Sequence, residues 1–377
     1  MATLRKRTLP SGKIVWQADY RDGGGKRRHK QFTLKKDADA FLLGALGEVR
    51  TGQHVAASAS VTVAKAAEAW LAHAEKIGRE RATVRRYRDT YEKYVAPRMG
   101  GTKLTAVTAP SVQNLIDDLT GTMSLSSLKK VKGALVSLFK HAVTRGQAAI
   151  NPARDVILPD NKRTVTRPEY PTKAELRSII EHALPRWRPF FRLATVTGMR
   201  ASEMRGLLWK DVDVEGGVIH VRRRVDMYNQ FGPPKSKTGT RDIPISEATV
   251  AMLVSWQKEC PASELGLVFP TLEGAVTSHA NIQHRAFWPA QIRAGVSTDT
   301  GEKDKKGKAV MDAKYSLHAL RHAAAALFIE QGFAPKKVQS LMGHASLQMT
   351  YDTYGYLFPS EDDDRAKLAT MESALFG

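Results

Sequence analysis

His318-Ala319-Leu320-Arg321-His322, followed by Leu341-Met342-Gly343-His344 and then Tyr354, gathers histidines, an arginine and a phenol within 37 residues. A tyrosine hydroxyl titrates near pH 10, so it attacks at neutral pH only where positive charge or a base helps release its proton. Two stretches further upstream offer more of the same: Thr197-Gly198-Met199-Arg200-Ala201-Ser202-Glu203 adds a second arginine, and Ser236-Lys237-Thr238-Gly239 a lysine. Two arginines, a lysine, histidines and a tyrosine together suit chemistry on a phosphodiester.

The composition points to the same partner. Lys and Arg number 58 against 38 Asp and Glu, a formal charge of +20 in 377 residues, and such an excess favours nucleic acid. No apolar run approaches the roughly 18 residues of a membrane span, and Met1-Ala2-Thr3-Leu4-Arg5-Lys6-Arg7 leads into no secretory-type stretch. The chain is therefore expected in the cytoplasm, away from membranes. A single cysteine, Cys260, leaves no intrachain disulfide and no cysteine-based metal cluster. It sits in Glu259-Cys260-Pro261, with no activating pattern beside it.

The expected fold class is multidomain α+β. Residues 1–55 carry 12 Lys/Arg against 5 Asp/Glu. Ile14, Trp16, Ala18 and Tyr20 alternate as a strand, Asp22-Gly23-Gly24-Gly25 makes a turn, and Lys26–Leu34 forms a second, basic strand. Ala38, Phe41, Leu42, Ala45 and Val49 then give a helix one apolar stripe to cover the sheet. The exposed face of that sheet is a candidate DNA reader, because Lys26-Arg27-Arg28-His29-Lys30 concentrates charge where phosphates could lie.

Ala56–Ser60 reads as a linker, and residues 61–160 as an all-helical bundle. Val63–Ala74, a stretch opened by Thr83, another by Thr108-Ala109-Pro110, and Ser124–Thr144 each show helical spacing. In the last, Leu128, Val131, Leu135, Leu138, Phe139 and Ala142 form one side, while Lys129, Lys130, Lys132 and Lys140 are placed as outward DNA contacts. Asn151-Pro152 ends the bundle, and Asp160–Pro168 is an extended basic linker. The third domain, 170–377, is mixed and mainly α. Its expected elements are helices at Lys173–Leu184 and Pro189–Thr197, a strand at Val218–Val225, and a hairpin partner at Arg241–Ile245 with Lys237 on the turn before it. The lysine-rich Ser297–Lys314 segment, without apolar periodicity, reads as a mobile surface loop.

These motifs resemble the tyrosine recombinases, specifically the integrases of phages and integrative elements. Thr197–Leu207 is similar to the family's first arginine box, Ser236-Lys237-Thr238-Gly239 to its hairpin lysine, and His318–His322 to its His-x-x-Arg box. Leu341–His344 is similar to the last histidine box and Met349–Leu357 to the nucleophile segment. The resemblance assigns a catalytic set of Arg200, Lys237, His318, Arg321, His344 and the nucleophile Tyr354, with Tyr351 and Tyr356 as nearby competitors. It implies an N-terminal arm-site-binding domain, a helical core-site-binding domain, a catalytic domain, and a tail within 355–377 that docks on another protomer. The implied partners are double-stranded attachment-site DNA, a homo-tetramer, an excisionase and host DNA-bending proteins. The implied setting is the bacterial nucleoid.

The roles also follow from charge and geometry. Planar guanidinium forks suit the equatorial oxygens of a phosphoryl transition state, which makes Arg200 and Arg321 a clamp. His318 and His344 can donate hydrogen bonds, and His318 is a candidate to take the phenolic proton. Lys237 is placed to protonate the departing 5′-oxygen. A 3′-phosphotyrosyl link conserves bond energy, so neither metal nor another cofactor is required. His318 and His322 stand at i and i+4 as in zinc helices, but Ala319 occupies the place of the metalloprotease glutamate; His322 is read instead as packed or near phosphate. The function expected is integration, with excision, of a mobile element. A chromosome-dimer resolvase and a DNA-binding regulator that has lost cleavage are the alternatives.

Overall fold

Alternation along Ile14–Arg21 (β2) buries Ala18 and Tyr20 beneath helix α1 (Lys35–Arg50), whose Ala38 and Ala45 are buried in turn. Tyr20 meets Phe41 of that helix edge to face, with ring centroids 5.8 Å apart. Arg27–Phe32 (β3) pairs along one side of β2, and Thr3–Thr8 (β1) pairs along the other, both antiparallel. The sequence pattern did not signal β1. Its last four residues are exposed, so no apolar alternation marks it, and its cations suit a sheet edge.

This computed structural model describes residues 2–50, 55, 60–160, 167–305, 307–358 and 362–377. Most of both expected linkers, 56–59 and 161–166, lies outside the described residues. The chain divides into two compact units, 1–164 and 165–377.

The rest of the first unit is helical: α2 (Val63–Lys76), α3 (Arg81–Thr90), α4 (Ala96–Met99), α5 (Ala109–Thr120) and α6 (Leu125–Thr144). Thr62, Thr108 and Ser124 accept backbone N–H bonds at the first turns of α2, α5 and α6, which is why these elements start there. Between α3 and α4 the chain widens into a π-turn at Tyr91–Val95. Pro97 lies just beyond, and it has no N–H for an ordinary helical bond to the carbonyl four residues back. Trp70, Val84, Ile116, Leu128, Leu135 and Phe139 pack the core, and the Trp70 indole donates to Ser137 Oγ at 3.1 Å. The core runs past Asn151-Pro152 to include Val156. There Lys132 Nζ donates to the Val156 carbonyl at 2.6 Å, so this lysine fastens the segment instead of facing outward with Lys129, Lys130 and Lys140.

The second unit begins with α7 (Lys173–Glu181), α8 (Arg188–Thr197) and α9 (Ala201–Arg205). Small strands follow: β4 (Val212–Asp213), β5 (Val218–Val221), β6 (Arg224–Val225), β7 (Phe231–Gly232) and β8 (Arg241–Pro244). β5 pairs antiparallel with β4 and β8, while β6 pairs with β7. The strand expected over Val218–Val225 is thus two short strands in different sheets. Next come α10 (Glu247–Glu259), α11 (His279–Asn281) and α12 (Trp288–Arg293).

Ser297–Lys303 (β9) and Ala309–Ala313 (β10) form an antiparallel hairpin, which corrects the expectation of a mobile loop. Nearly every residue of the ribbon is exposed, so neither strand carries apolar alternation. Asp304 accepts the Lys308 N–H at 2.9 Å and Gly307 supplies positive φ at the turn.

The last helices are α13 (Ala319–Glu330), α14 (Pro335–Met342), α15 (Leu347–Tyr354) and α16 (Asp362–Phe376). Phe190, Phe191, Leu193, Met204, Ile219, Ile243, Phe287 and Leu320 share one buried core that fixes α8, α9, α13 and the β5–β8 ribbon. No described helix is long and apolar enough to cross a membrane.

Gly198 ends α8 with φ +61°, and a Cβ there would lie 2.7 Å from Met342 Sδ and 3.3 Å from Ala324 Cβ. Gly198→Ala therefore combines backbone strain with crowding. We expect a loss of about 1–3 kcal/mol in chemical denaturation; an unchanged midpoint would mean that the turn relaxes freely.

Candidate active site

Gly343 stops α14 by turning left-handed, with φ +62°, and leaves the helix's final carbonyls without intrahelical donors. Arginines bond three of these carbonyls in succession. Arg241 Nε donates to Leu341 O at 2.7 Å, Arg321 Nη2 to Met342 O at 2.5 Å, and Arg200 Nη2 to Gly343 O at 2.9 Å. Cations at a helix C-terminus also meet the negative end of its dipole. A Cβ on Gly343 would lie 2.9 Å from Arg241 Nη1 and 3.0 Å from Thr238 O, so only glycine admits this approach.

A buried carboxylate joins two of the three cations. Glu203 accepts from Arg200 Nη1 at 2.8 Å and Arg241 Nη2 at 2.9 Å, and from the Arg200 backbone N–H at 2.9 Å. Burial works to raise its pKa, but Arg241 and Arg200 outweigh that and hold it below the usual carboxylate range. Arg321 is anchored separately, through Nη1 to Gly198 O at 2.5 Å. Burial and Arg200 lower its pKa to about 9, so it stays charged at neutral pH. Each guanidinium has five N–H groups. Arg200 and Arg321 each commit two of them to these bonds.

Lys237 opens a single 3₁₀ turn, Lys237–Gly239, immediately before β8, and its side chain is exposed. Gly239 O in that turn accepts from Arg241 Nη1 at 3.0 Å, which ties the lysine's backbone to the arginine cluster.

Tyr354, the last residue of α15, is 2% exposed, whereas Tyr351 is 44% and Tyr356 38% exposed. Ala325, Ile329, Val338 and Met342 pack around Tyr354. Tyr351 instead faces Phe358, at 5.6 Å between rings, and Tyr356 lies under Arg167 at 4.5 Å. Burial raises the Tyr354 pKa to about 12 although Arg321 pulls it down. The hydroxyl therefore holds its proton at neutral pH.

The histidines divide their contacts unequally. His344 stacks nearly parallel to the Tyr354 ring, with centroids 6.2 Å apart, and its Nδ1 pairs with the buried Thr350 hydroxyl at 2.9 Å. Burial, Arg321 and Arg200 lower its pKa to about 3. His318 stands at the N-cap of α13, and partial burial, His322 and the arginines lower its pKa. It packs edge-on against His322 at 4.8 Å. Nδ1 of His322, not of His318, meets the Tyr354 hydroxyl, at 2.7 Å. The sequence placed His322 as an i+4 partner of His318, packed or near phosphate, and did not signal this contact. It likewise signalled no role for Glu203, inside the first arginine box, or for Arg241, which opens the strand after the hairpin lysine.

The phage integrase family profile matches residues 169–360, and the phage integrase central domain matches 63–157. The chain belongs to the phage integrase family. Among its relatives, a protein named tyrosine recombinase XerC-like, from Caldanaerobacter subterraneus subsp. tengcongensis, is 26% identical over 90% of this chain and 91% of its own length. The Tn1549 transposon integrase, solved with transposon right end DNA, superposes with a TM-score of 0.65 at 19% identity, over 82% of this chain and 99% of that one. A lambda integrase dimer bound to a core site gives 0.61 at 19% identity, over 94% and 97%. These likenesses establish the tyrosine-recombinase fold.

Removing one partner from a buried charge cluster typically costs about 3–5 kcal/mol. Glu203→Gln should destabilise the protein on that scale. A carboxylate with a depressed folded pKa contributes stability that is present above its unfolded pKa and is lost as pH falls through the folded value. The parent should thus lose this contribution on acidification, while the Gln variant should show a flatter dependence there. Identical curves of stability against pH would remove Glu203 from its place in the cluster.

Proposed function

We propose that this integrase cuts and rejoins attachment-site DNA through a 3′-phosphotyrosyl intermediate on Tyr354. The observation that carries this reading is a phenol hydrogen-bonded to His322 and acted on by Arg321, itself one of three guanidiniums anchored on the carbonyls that end α14. Preorganised donors of this kind stabilise a transition state without reorganising when charge develops. Arg200 and Arg321 bind the non-bridging oxygens of the scissile phosphate. His344, with Thr350 donating to its Nδ1, carries its proton on Nε2 and donates to the same group, and His318 donates from the other side. Lys237, exposed and on a turn fastened to Arg241, protonates the 5′-oxygen as it leaves.

The domain boundaries follow the same reading. Residues 1–55 bind distal arm sites, 61–160 and 170–377 hold the core site, and the protein works as a homo-tetramer in the bacterial nucleoid with excisionase and host DNA-bending partners. Register supports the arm reading: Arg5, Gln17 and Gln31 lie side by side across β1, β2 and β3 on the face opposite α1. Arg and Gln are base-edge readers. In α16, Leu368, Met371 and Leu375 are exposed, which supports a tail that docks on another protomer. A regulator that had lost cleavage would have no need for so complete a set of bonded cations.

Tyr354→Phe keeps the ring and removes the nucleophile. We expect DNA affinity near that of the parent and no covalent adduct on a nicked suicide substrate. Adduct formation by this variant, together with its loss in Tyr351→Phe or Tyr356→Phe, would transfer the role. Deletion of residues 1–55 should preserve cleavage of a short core-site duplex but sharply reduce recombination between full attachment sites, because linked contacts raise local concentration. Full recombination by the truncated chain would contradict the arm assignment.

A further inference from the structure

We infer that His322 is the general base that takes the proton from Tyr354 during strand cleavage and returns it during rejoining. This rests on the assignment of Tyr354 as the nucleophile. His322 Nδ1 lies 2.7 Å from the hydroxyl, within the range in which a base removes a proton directly. The ring is half-buried, and burial followed by Arg321 lowers its pKa, so it is neutral at physiological pH. Tyr354 is protonated there. A neutral imidazole facing a neutral phenol has one arrangement suited to attack: the hydroxyl donates to the Nδ1 lone pair, and the ring proton sits on Nε2.

His318 is less well placed. It touches the edge of His322 instead of the hydroxyl, and it stands at the N-cap, one turn away on the same helix. His344 faces the tyrosine ring to ring, and its Nδ1 is occupied by Thr350. The groups facing the His322–Tyr354 pair are His318 at the N-cap of α13, Arg321 from α13 and His344 stacked on the tyrosine ring, with Tyr170 and Tyr356 acting on Tyr354 from other segments.

In cleavage the Tyr354 oxygen forms a bond to phosphorus while the bond from phosphorus to the 5′-oxygen breaks. The phenolic proton passes to His322 Nδ1, giving an imidazolium, and Lys237 gives a proton to the 5′-oxygen. In rejoining the 5′-hydroxyl oxygen forms its bond to phosphorus while the bond from phosphorus to the Tyr354 oxygen breaks; the hydroxyl proton returns to Lys237, and the imidazolium reprotonates the leaving Tyr354 oxygen. No proton is gained or lost over the cycle, and no other reactant enters. The neighbouring Arg321 disfavours the imidazolium, which makes proton return on rejoining fast.

His322→Asn separates a base from a positioning contact. Its side-chain oxygen falls close to the place of Nδ1, so it can accept the hydroxyl hydrogen bond, but an amide cannot take the proton. With full-length protein and nicked suicide duplex, we expect His322→Asn to bind DNA and melt like the parent yet form adduct roughly 10²- to 10⁴-fold more slowly, the usual contribution of a positioned base. The parent rate should fall on acidification below the lowered His322 pKa, and the Asn variant should lose that dependence. A substrate with sulfur at the bridging 5′-position, whose thiolate leaves without a proton, should restore Lys237→Ala and leave His322→Asn slow. Adduct formation by His322→Asn within a few-fold of the parent, an unchanged pH profile, or rescue by the sulfur substrate would each overturn the inference. If the parent itself forms no adduct, it is the assignment of Tyr354 that fails.

Discussion

Three consecutive carbonyls at the end of one short helix organise this active site. Leu341, Met342 and Gly343 present their oxygens because Gly343 turns left-handed, and Arg241, Arg321 and Arg200 each take one. Those arginines come from β8, α13 and the start of α9, far apart in sequence, so the helix end serves as the junction on which three segments meet. Mutual repulsion among the guanidiniums is offset by the carbonyl dipoles and by Glu203, which is shared between Arg200 and Arg241. The result is a set of positively charged donors held in place by bonds within the protein.

In the proposed mechanism the same junction acts on a nucleophile that is buried, Tyr354. A phenol taken out of water holds its proton more tightly, and the raised pKa reflects this. Arg321 favours the ionised oxygen, and His322 offers a route for the proton. The balance keeps the Tyr354 hydroxyl neutral at physiological pH. In the proposed mechanism a phosphate bound by Arg200 and Arg321 neutralises part of their field, so attack depends more on the base at hydrogen-bond distance, His322, than on prior ionisation of Tyr354.

Much of this was legible in the sequence because helical periodicity and caps are local signals. Ser124 before Leu128, Val131 and Leu135 marks α6 to within a residue, and Thr108 marks α5. The motif residues were legible through resemblance, since each box carries several fixed positions. What escaped depended on packing between elements distant in sequence. The His322–Tyr354 bond exists only because α15 lies against α13, and the bridging role of Glu203 needs β8 to bring Arg241 across. Elements without a buried residue also escaped. β1 and the β9–β10 hairpin have no buried face and thus no apolar alternation, so β1 gave no signal and the hairpin read as a loop. Lys132 shows the converse error, an apparent surface cation whose amine is committed to the Val156 carbonyl.

The most direct test of the account is to locate the covalent link itself. A suicide duplex would be trapped on the wild-type protein and digested with nuclease and trypsin, and the peptide from Val338 to Arg365, which holds all three tyrosines, would be sequenced by tandem mass spectrometry. The phosphonucleotide remnant is expected on Tyr354, the tyrosine buried beside Arg321 and His322. A remnant on Tyr351 or Tyr356 would contradict the central claim that the arginine-lined junction and the buried phenol form one reacting centre.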